Sequence, residues 1–289
     1  GVKSGMSTFE AKKLCPHLVF IPGDPVKYIS TTEKLFKIFS SYSPIIEVFS
    51  IDEVFLEILP PENTLERAMV IASEIKKRIK SDIGDYLTCS IGVAPNKFLA
   101  KLASERKKPD GLTVVTKDNR DEILLSSKLD DFCGIGRRVL SHLNALGVYN
   151  VYQLRKMPVE MLTTIFGDVR GNKLHDMALG IDKTPLISED NREAAKSYSH
   201  NLTLPKEAND QKYVWATLLR LCERVGRRMR RDHVFGKSVH VFTRSSTFEG
   251  AGGQKVMDFY TNDGVTIFEC ARYQIMGDRL SDTVRSVGV

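Results

Sequence analysis

The chain has 289 residues, 42% of them hydrophobic, and carries 42 Lys/Arg against 36 Asp/Glu for a net charge of +6. That apolar content supports two or three packed domains. No run approaches the roughly 18 consecutive apolar residues of a membrane span, and no charged-then-apolar leader opens the sequence, so a soluble, cytoplasmic protein is expected. Five cysteines without a Cys-x-x-Cys pair and six dispersed histidines argue against a disulfide framework and a zinc site.

Ser7 followed by Glu10 reads as an N-cap with its capping-box partner, predicting a first helix to Leu14 that Pro16 stops. A longer helix is predicted from Pro25 to about Tyr42. Two β-branched and aromatic runs follow, Ile45 to Phe49 and Val54 to Ile58, with Ser50-Ile51-Asp52-Glu53 at their junction. Pro60-Pro61-Glu62-Asn63 is a turn, and Leu65, Ala68, Met69, Ala72, Ile75 and Ile79 mark a helix to about Lys80. Leu87 to Val93 reads as a strand, and Pro95 opens a helix that carries Phe98, Leu99, Leu102 and Ala103 inward. Lys107-Lys108-Pro109-Asp110-Gly111 then turns into a short strand, Leu112 to Val115. This order is an α+β layer with helices on one face.

From Lys117 to Gly180 the strand signals vanish, leaving short helices punctuated by glycine. The polar stretch Asp182 to Asn191, with Pro185, reads as a linker. Beyond it the order is strand (Tyr198 to Leu204), helix (Asp210 to Arg231), strand (Lys237 to Thr243), strand (Gln254 to Phe259), helix (Asp263 to Met276) and strand (Thr283 to Val289). That is a βαββαβ module.

Four places carry chemistry. Asp52 and Glu53 leave two readings open: a turn that uses Asp because Asp suits turns, with Glu53 solvated beside it, or oxygen ligands for a divalent cation on a rigid sheet. Lys108 precedes Pro109, which forces it out of helical geometry, so its ammonium projects from a rigid base where a polyphosphate could meet it. Lys97 and Lys101 lie on the helix before it. Gly134-Ile135-Gly136-Arg137-Arg138 lets backbone N–H groups approach an anion at a helix N-terminus, with Ile135 plugging the turn into the helices. From residue 191 onward there are 16 Lys/Arg against 11 Asp/Glu, so most of the positive excess lies in the last third. Its densest part is Arg220, Arg224, Arg227, Arg228, Arg230 and Arg231, on an amphipathic helix that is either a solvated face or a footprint for a phosphate backbone.

In this order and spacing, Gly1-Val2-Lys3-Ser4-Gly5-Met6, Ser50-Ile51-Asp52-Glu53, Ser90-Ile91-Gly92-Val93-Ala94-Pro95-Asn96-Lys97 with Leu99-Ala100-Lys101, Lys108-Pro109-Asp110-Gly111 and Gly134-Ile135-Gly136 resemble the Y-family translesion DNA polymerases, most closely the DNA polymerase IV group. The resemblance covers essentially the whole chain, by motif in the first two thirds and by pattern in the last. It implies a fold of ferredoxin-like palm, small helical thumb with a helix-hairpin-helix, and C-terminal βαββαβ little finger. The expected limits are 1–24 for a remnant of the fingers, 25–115 palm, 116–183 thumb, 184–192 linker and 193–289 little finger. It also implies a template-directed DNA polymerase of lesion bypass and DNA repair, using Mg²⁺ (two ions in the full-length enzyme), primer-template DNA and dNTP. A monomer is expected, with a sliding clamp as a further candidate partner and no membrane.

Carried over by residue, the resemblance makes Asp52 a metal-ligating aspartate and Glu53 the adjacent catalytic glutamate, both metal ligands. It makes Lys108 a ligand for the incoming nucleotide's phosphates. Gly134, Ile135, Gly136 and Arg137 become the hairpin that holds a DNA backbone phosphate, and Arg227 and Arg228 of the basic helix are expected to touch DNA as well. The family's further metal-binding aspartate, aromatic steric gate and Tyr and Arg groups for the triphosphate have no match here. The chain is therefore expected to be a fragment lacking the N-terminal strand and part of the fingers, clipped at both ends, that binds DNA weakly and does not extend it. Two other readings are carried: a non-catalytic DNA-binding protein derived from the same family, and another palm-type enzyme such as a nucleotidyl cyclase, which would need neither the glycine hairpin nor the basic helix.

Overall fold

Ser7 caps the first helix as its spacing to Glu10 requires: the Glu10 N–H donates to Ser7 Oγ at 3.2 Å and the Ser7 N–H donates to Glu10 Oε2 at 3.0 Å. The structure is a computed structural model that describes residues 1–188, 194–276 and 283–289. The chain divides into two units, Gly1–Arg192 and Glu193–Val289.

In the first unit, α1 (Thr8–Leu14) is followed by α2 (Pro25–Ser40), whose N-cap Asp24 accepts from the Val26 and Lys27 amides. Next come β1 (Ile46–Val48), β2 (Val54–Leu56), α3 (Leu65–Asp82), β3 (Ile91–Val93), α4 (Lys97–Arg106) and β4 (Leu112–Val114). Ile71, Ile75 and Ile79 repeat at helical spacing on α3 and pack with Ile38 of α2. The expected layer is built as two separate pairings: β1 and β2 form an antiparallel hairpin, and β3 and β4 pair in parallel across α4. The strand expected from Leu87 starts only at Ile91, because residues 84–87 form a turn closed by the Leu87 N–H on the Gly84 carbonyl. Gly92 is where α4 crosses β3: a Cβ there would fall inside contact distance of the Ala100 carbonyl and Ala103.

The helical run holds α5 (Arg120–Leu125), a 3₁₀ turn (Leu129–Asp131), α6 (Arg137–Ala145), α7 (Val151–Lys156), α8 (Val159–Phe166) and α9 (Asp168–Ala178). Its core, with Leu124, Leu129, Phe132, Leu143, Leu154 and Leu162, is continuous with Phe98, Leu99, Leu102 and Ala103 of α4. Phe98 and Phe132 meet edge to face at 4.9 Å. The inward face of α4 thus belongs to the helical module's core. Of the expected linker, 184–188 are described; Pro185 and Ile187 are tied to the first unit through Lys97 and Glu47. Residues 189–192, and residue 193 at the expected start of the last domain, lie outside the described residues.

The second unit contains β5 (Asn201–Ala208), α10 (Gln211–Arg231), β6 (Gly236–Arg244), β7 (Gly250–Thr261), α11 (Gly264–Glu269) and β8 (Val284–Gly288). The sheet order is β5-β8-β6-β7 with every pairing antiparallel. Val239 and Val241 of β6 alternate inward to meet Val214, Leu218, Leu221 and Val225 of α10, the two periodicities facing each other across one core. The helix expected to run from Asp263 to Met276 changes to a π-helical turn at Cys270.

Candidate catalytic site and nucleic-acid contacts

The acidic pair sits in the turn of the β1–β2 hairpin. The amides of Phe49 and Ser50 both donate to the Glu53 carbonyl, at 2.9 and 3.1 Å, and Thr32 Oγ1 on α2 donates to the Ile51 carbonyl at 2.7 Å. Phe49 and Phe55 meet edge to face across the base of the turn at 5.5 Å. The turn is therefore held by backbone, by a neighbouring helix and by ring packing. Asp52 is exposed, and among the described residues its carboxylate accepts a hydrogen bond from Ser50 Oγ at 2.6 Å. Glu53 is half-buried and takes Lys101 Nζ at 2.7 Å.

The lysine comes from α4, and local sequence explains its placement. Asn96 caps the helix by accepting from the Leu99 amide at 2.9 Å and ties it to the end of α9 by donating to the Gly180 carbonyl at 3.0 Å. Phe98, Leu99, Leu102 and Ala103 turn inward, which leaves Lys97 and Lys101, one helical turn apart, on the face toward the hairpin. Lys97 meets Glu47 of β1 at 2.8 Å and Lys101 meets Glu53. Lys101 also donates to Glu105 Oε1 at 2.5 Å, and the same oxygen takes Lys108 Nζ at 2.8 Å. Burial disfavours the Lys101 charge, but its hydrogen bonds to Glu105 and Glu53 outweigh that and raise its pKa. Burial likewise pushes Glu105 up, and its two lysines pull it down further than burial lifts it.

Lys108 stands at the start of a braced turn. Asp110 is gripped by Lys76 at 2.5 Å and Lys80 at 2.8 Å, both from α3, and Lys76 also donates to the Cys89 carbonyl at 2.6 Å. Lys76 foremost, then Lys80, draws the Asp110 pKa down to about 2. Any side chain at Gly111 would strike the Lys107 carbonyl, so the chain can reverse this tightly only with glycine there.

In the helical module Gly134 adopts φ +106°, Gly136 is the N-cap of α6, and Ile135 is buried with its N–H on the Phe132 carbonyl at 2.9 Å. Arg137 and Arg138 are exposed at the first turn of α6, where helix geometry leaves amides without intrahelical partners. The basic helix is less uniform than its sequence implies. Arg228 Nη1 donates to the Ser199 carbonyl at 3.0 Å with its guanidinium 5.5 Å from the Tyr198 ring centre, and Tyr198 donates to Asp232 at 2.9 Å. Arg230 is held by the Asn262 carbonyl at 2.6 Å, and Arg231 by Asp232. Arg227 is exposed and free of such contacts among the described residues.

Asp52 and Glu53 are hard oxygen donors of the kind magnesium takes, and one or two carboxylates suit a cation whose remaining ligands are water and substrate phosphate. No group of three or more His, Cys, Asp or Glu that could form a self-sufficient metal cage exists among the described residues. Asp52 and Glu53 are donors of the right chemistry for such a cation, and Lys101 already pairs with Glu53. Sequence reading placed Lys97 and Lys101 on one helix but missed Glu47 and Glu105 as their partners. For Glu105 the signal was present, since it lies four residues after Lys101 and three before Lys108.

The impB/mucB/samB family pattern matches residues 1–105 and the C-terminal domain pattern of the same family matches 195–289. A pattern described as the DNA polymerase-iota thumb domain matches 130–182. The chain is 34% identical over 273 residues to a DNA polymerase IV of Moorella thermoacetica, covering 94% of this chain and 67% of that protein. It is 33% identical to a DNA polymerase IV of Methanosarcina acetivorans, covering all of this chain and 80% of the relative. Among solved structures, a Y-family polymerase chimera, Dbh-Dpo4(243-245)-Dbh, superposes with a TM-score of 0.84 at 24% identity, covering all of this chain and 82% of that one. A structure described as a Dbh ternary complex gives 0.65 at 24% identity, covering 84% of that chain. These solved structures show the likeness of fold.

Proposed function

Since this chain belongs to the impB/mucB/samB family, the DinB-like Y-family DNA polymerases, we propose that Asp52 and Glu53 hold magnesium, that Lys108 receives the triphosphate of a dNTP, and that Gly134 to Arg137 and Arg227 grip primer-template DNA. The enzyme class is DNA-directed DNA polymerase, and the family's role is synthesis past damaged template. The palm, thumb and little-finger limits drawn from sequence are part of the proposal. Solved neighbours described as ternary and binary complexes of a DNA polymerase support the choice of DNA and nucleotide.

A bound divalent cation supplies Lewis-acid activation of the primer 3′-hydroxyl and neutralises triphosphate charge, and two such ions are the expectation for in-line nucleotidyl transfer. The chain's own residues supply positioning. The hairpin keeps Asp52 open to solvent on a braced turn, and Lys101 anchors the Glu53 carboxylate. Lys108 offers a point charge to phosphate oxygens from a turn that Asp110 holds rigid. The amides and cations at the start of α6 suit a backbone phosphate, which fixes the DNA's register without reading its sequence.

The observation that carries this reading is the exposed Asp52 carboxylate on the braced turn, followed by a Glu53 whose cation partner among the described residues is Lys101. Manganese(II) binding by the protein alone, followed by electron paramagnetic resonance, tests it, with DNA affinity measured separately. Asp52→Asn is expected to lower ion affinity at least tenfold while DNA affinity holds. Wild-type ion binding by the variant would refute the assignment. The nucleotidyl cyclase reading is disfavoured by the glycine hairpin and the basic second unit.

A further inference from the structure

One lysine and one glutamate, Lys101 and Glu105, stand between the proposed cation ligand and the proposed phosphate ligand in an unbroken chain of contacts. Glu53 Oε1 takes Lys101 Nζ at 2.7 Å, Lys101 Nζ reaches Glu105 Oε1 at 2.5 Å, and Lys108 Nζ reaches that same oxygen at 2.8 Å. Lys101 is the most enclosed member, 18% exposed against 54% for Lys108. Each inner residue serves two partners of opposite charge.

We infer that Lys101 and Glu105 are positioning residues that couple cation binding at Glu53 to triphosphate binding at Lys108. This rests on the reading of Glu53 and Lys108 given above. An ammonium has three protons to donate, and Lys101 divides its charge between two carboxylates. Glu105 divides its charge between two ammoniums through one oxygen. When a triphosphate draws Lys108 away, Glu105 is left to Lys101 alone, Lys101 leans toward it, and Glu53 is released to a cation. The reverse holds by linkage: a cation that takes Glu53 leaves Lys101 to Glu105, which loosens Lys108 for the nucleotide. With both ends empty, the two lysines keep both carboxylates compensated and the side chains in place.

The test separates the two ligands so that direct chelation of metal by nucleotide plays no part. Manganese(II) alone is titrated by electron paramagnetic resonance, and a fluorescent dATP analogue is titrated in EDTA, on the full chain. In Glu105→Gln, Lys108 loses its competing anion and Lys101 turns wholly to Glu53. Triphosphate binding is expected to tighten and manganese binding to weaken, each by about two- to fivefold, the scale of partly exposed ion pairs. Lys101→Gln is expected to give the mirror image: manganese tightens as Glu53 loses its ammonium, and triphosphate weakens as Glu105 turns wholly to Lys108. Loss of one local charge would by itself move the two ligands in these senses, so the coupling also predicts that Lys108→Gln tightens manganese binding in the otherwise wild-type chain more than in Glu105→Gln; an equal effect in the two backgrounds, in variants with the wild-type circular dichroism spectrum, would overturn it. Lys101→Gln is the second such background should Glu105→Gln fail to fold. Glu53→Gln and Lys108→Gln are the controls: if they leave manganese and triphosphate binding untouched, the assignment of the site falls and the coupling with it. If they weaken their own ligand and the signs in Glu105→Gln are not opposite, only the coupling falls.

Discussion

Glu47 on β1 and Lys97 at the start of α4 form an ion pair at 2.8 Å in which the side chains are only 19% and 12% exposed. The pair also holds the chain that leaves the helical module: the Ile187 amide donates to Glu47 Oε2 at 2.9 Å, and Lys97 donates to the Pro185 carbonyl at 3.0 Å. One turn along α4, Lys101 repeats the arrangement with Glu53. The same helix face thus clamps the hairpin at two heights, the lower for architecture and the upper for the proposed chemistry.

Glu47→Gln leaves Lys97 without its anion in a largely enclosed position. It is expected to lower stability by about 1.5–3 kcal/mol, the range for hydrogen bonds to charged groups. Urea unfolding of wild type and variant checks this, and limited proteolysis should find new cleavage near residues 185–187. An unmoved midpoint would mean that the pair contributes nothing net.

The Asp110 latch makes a pH prediction. Its pKa falls from 3.8 to about 2 on folding, chiefly through Lys76 and then Lys80. A carboxylate depressed in this way contributes stability that is fully present above its unfolded pKa and is lost as pH falls through the folded one, so the window lies between about pH 4 and 2. The denaturation midpoint of the wild type is expected to drop across that window more than that of Asp110→Asn. Parallel pH curves would rule out the latch.

Arg227 and Arg228, neighbours in sequence, are expected to separate in experiment. Arg227→Ala should flatten the logarithmic salt dependence of DNA binding by about 0.9 for each phosphate that the arginine neutralises, with stability unchanged. Arg228→Ala should lower thermal stability, because it gives up the Ser199 carbonyl and the Tyr198 ring. Salt titrations of DNA binding beside thermal melts decide between them; equal salt slopes for Arg227→Ala and wild type would make that face of α10 merely solvated.

Much of the fold was legible because it is written locally. The Ser7–Glu10 capping box, the amphipathic period of α10 and the βαββαβ order of the second unit follow from residues within a turn or a strand of one another. The strand expected from Leu87 was too long because a glycine turn and Ser90, which accepts from the Gly111 amide, claim residues that β propensity favours. Reading Arg227 and Arg228 as equals failed to separate them for a similar reason: nothing near either residue in sequence reveals that the Ser199 carbonyl waits for one of them.

What the sequence determined by itself is where helices and turns begin, which faces are apolar, and which residues have the chemistry to bind cations and phosphates. Those properties depend on residue type and on spacings of a few places. Only the tertiary structure decided that Glu53 lies under Lys101 and Glu47 under Lys97, since those partners stand 48 and 50 residues apart. It likewise decided that α4 shares one core with the helical module while carrying the site's lysines on its other side. The physical reason is that a buried or half-buried charge must find a counter-charge, and which one it finds is set by how the apolar faces pack.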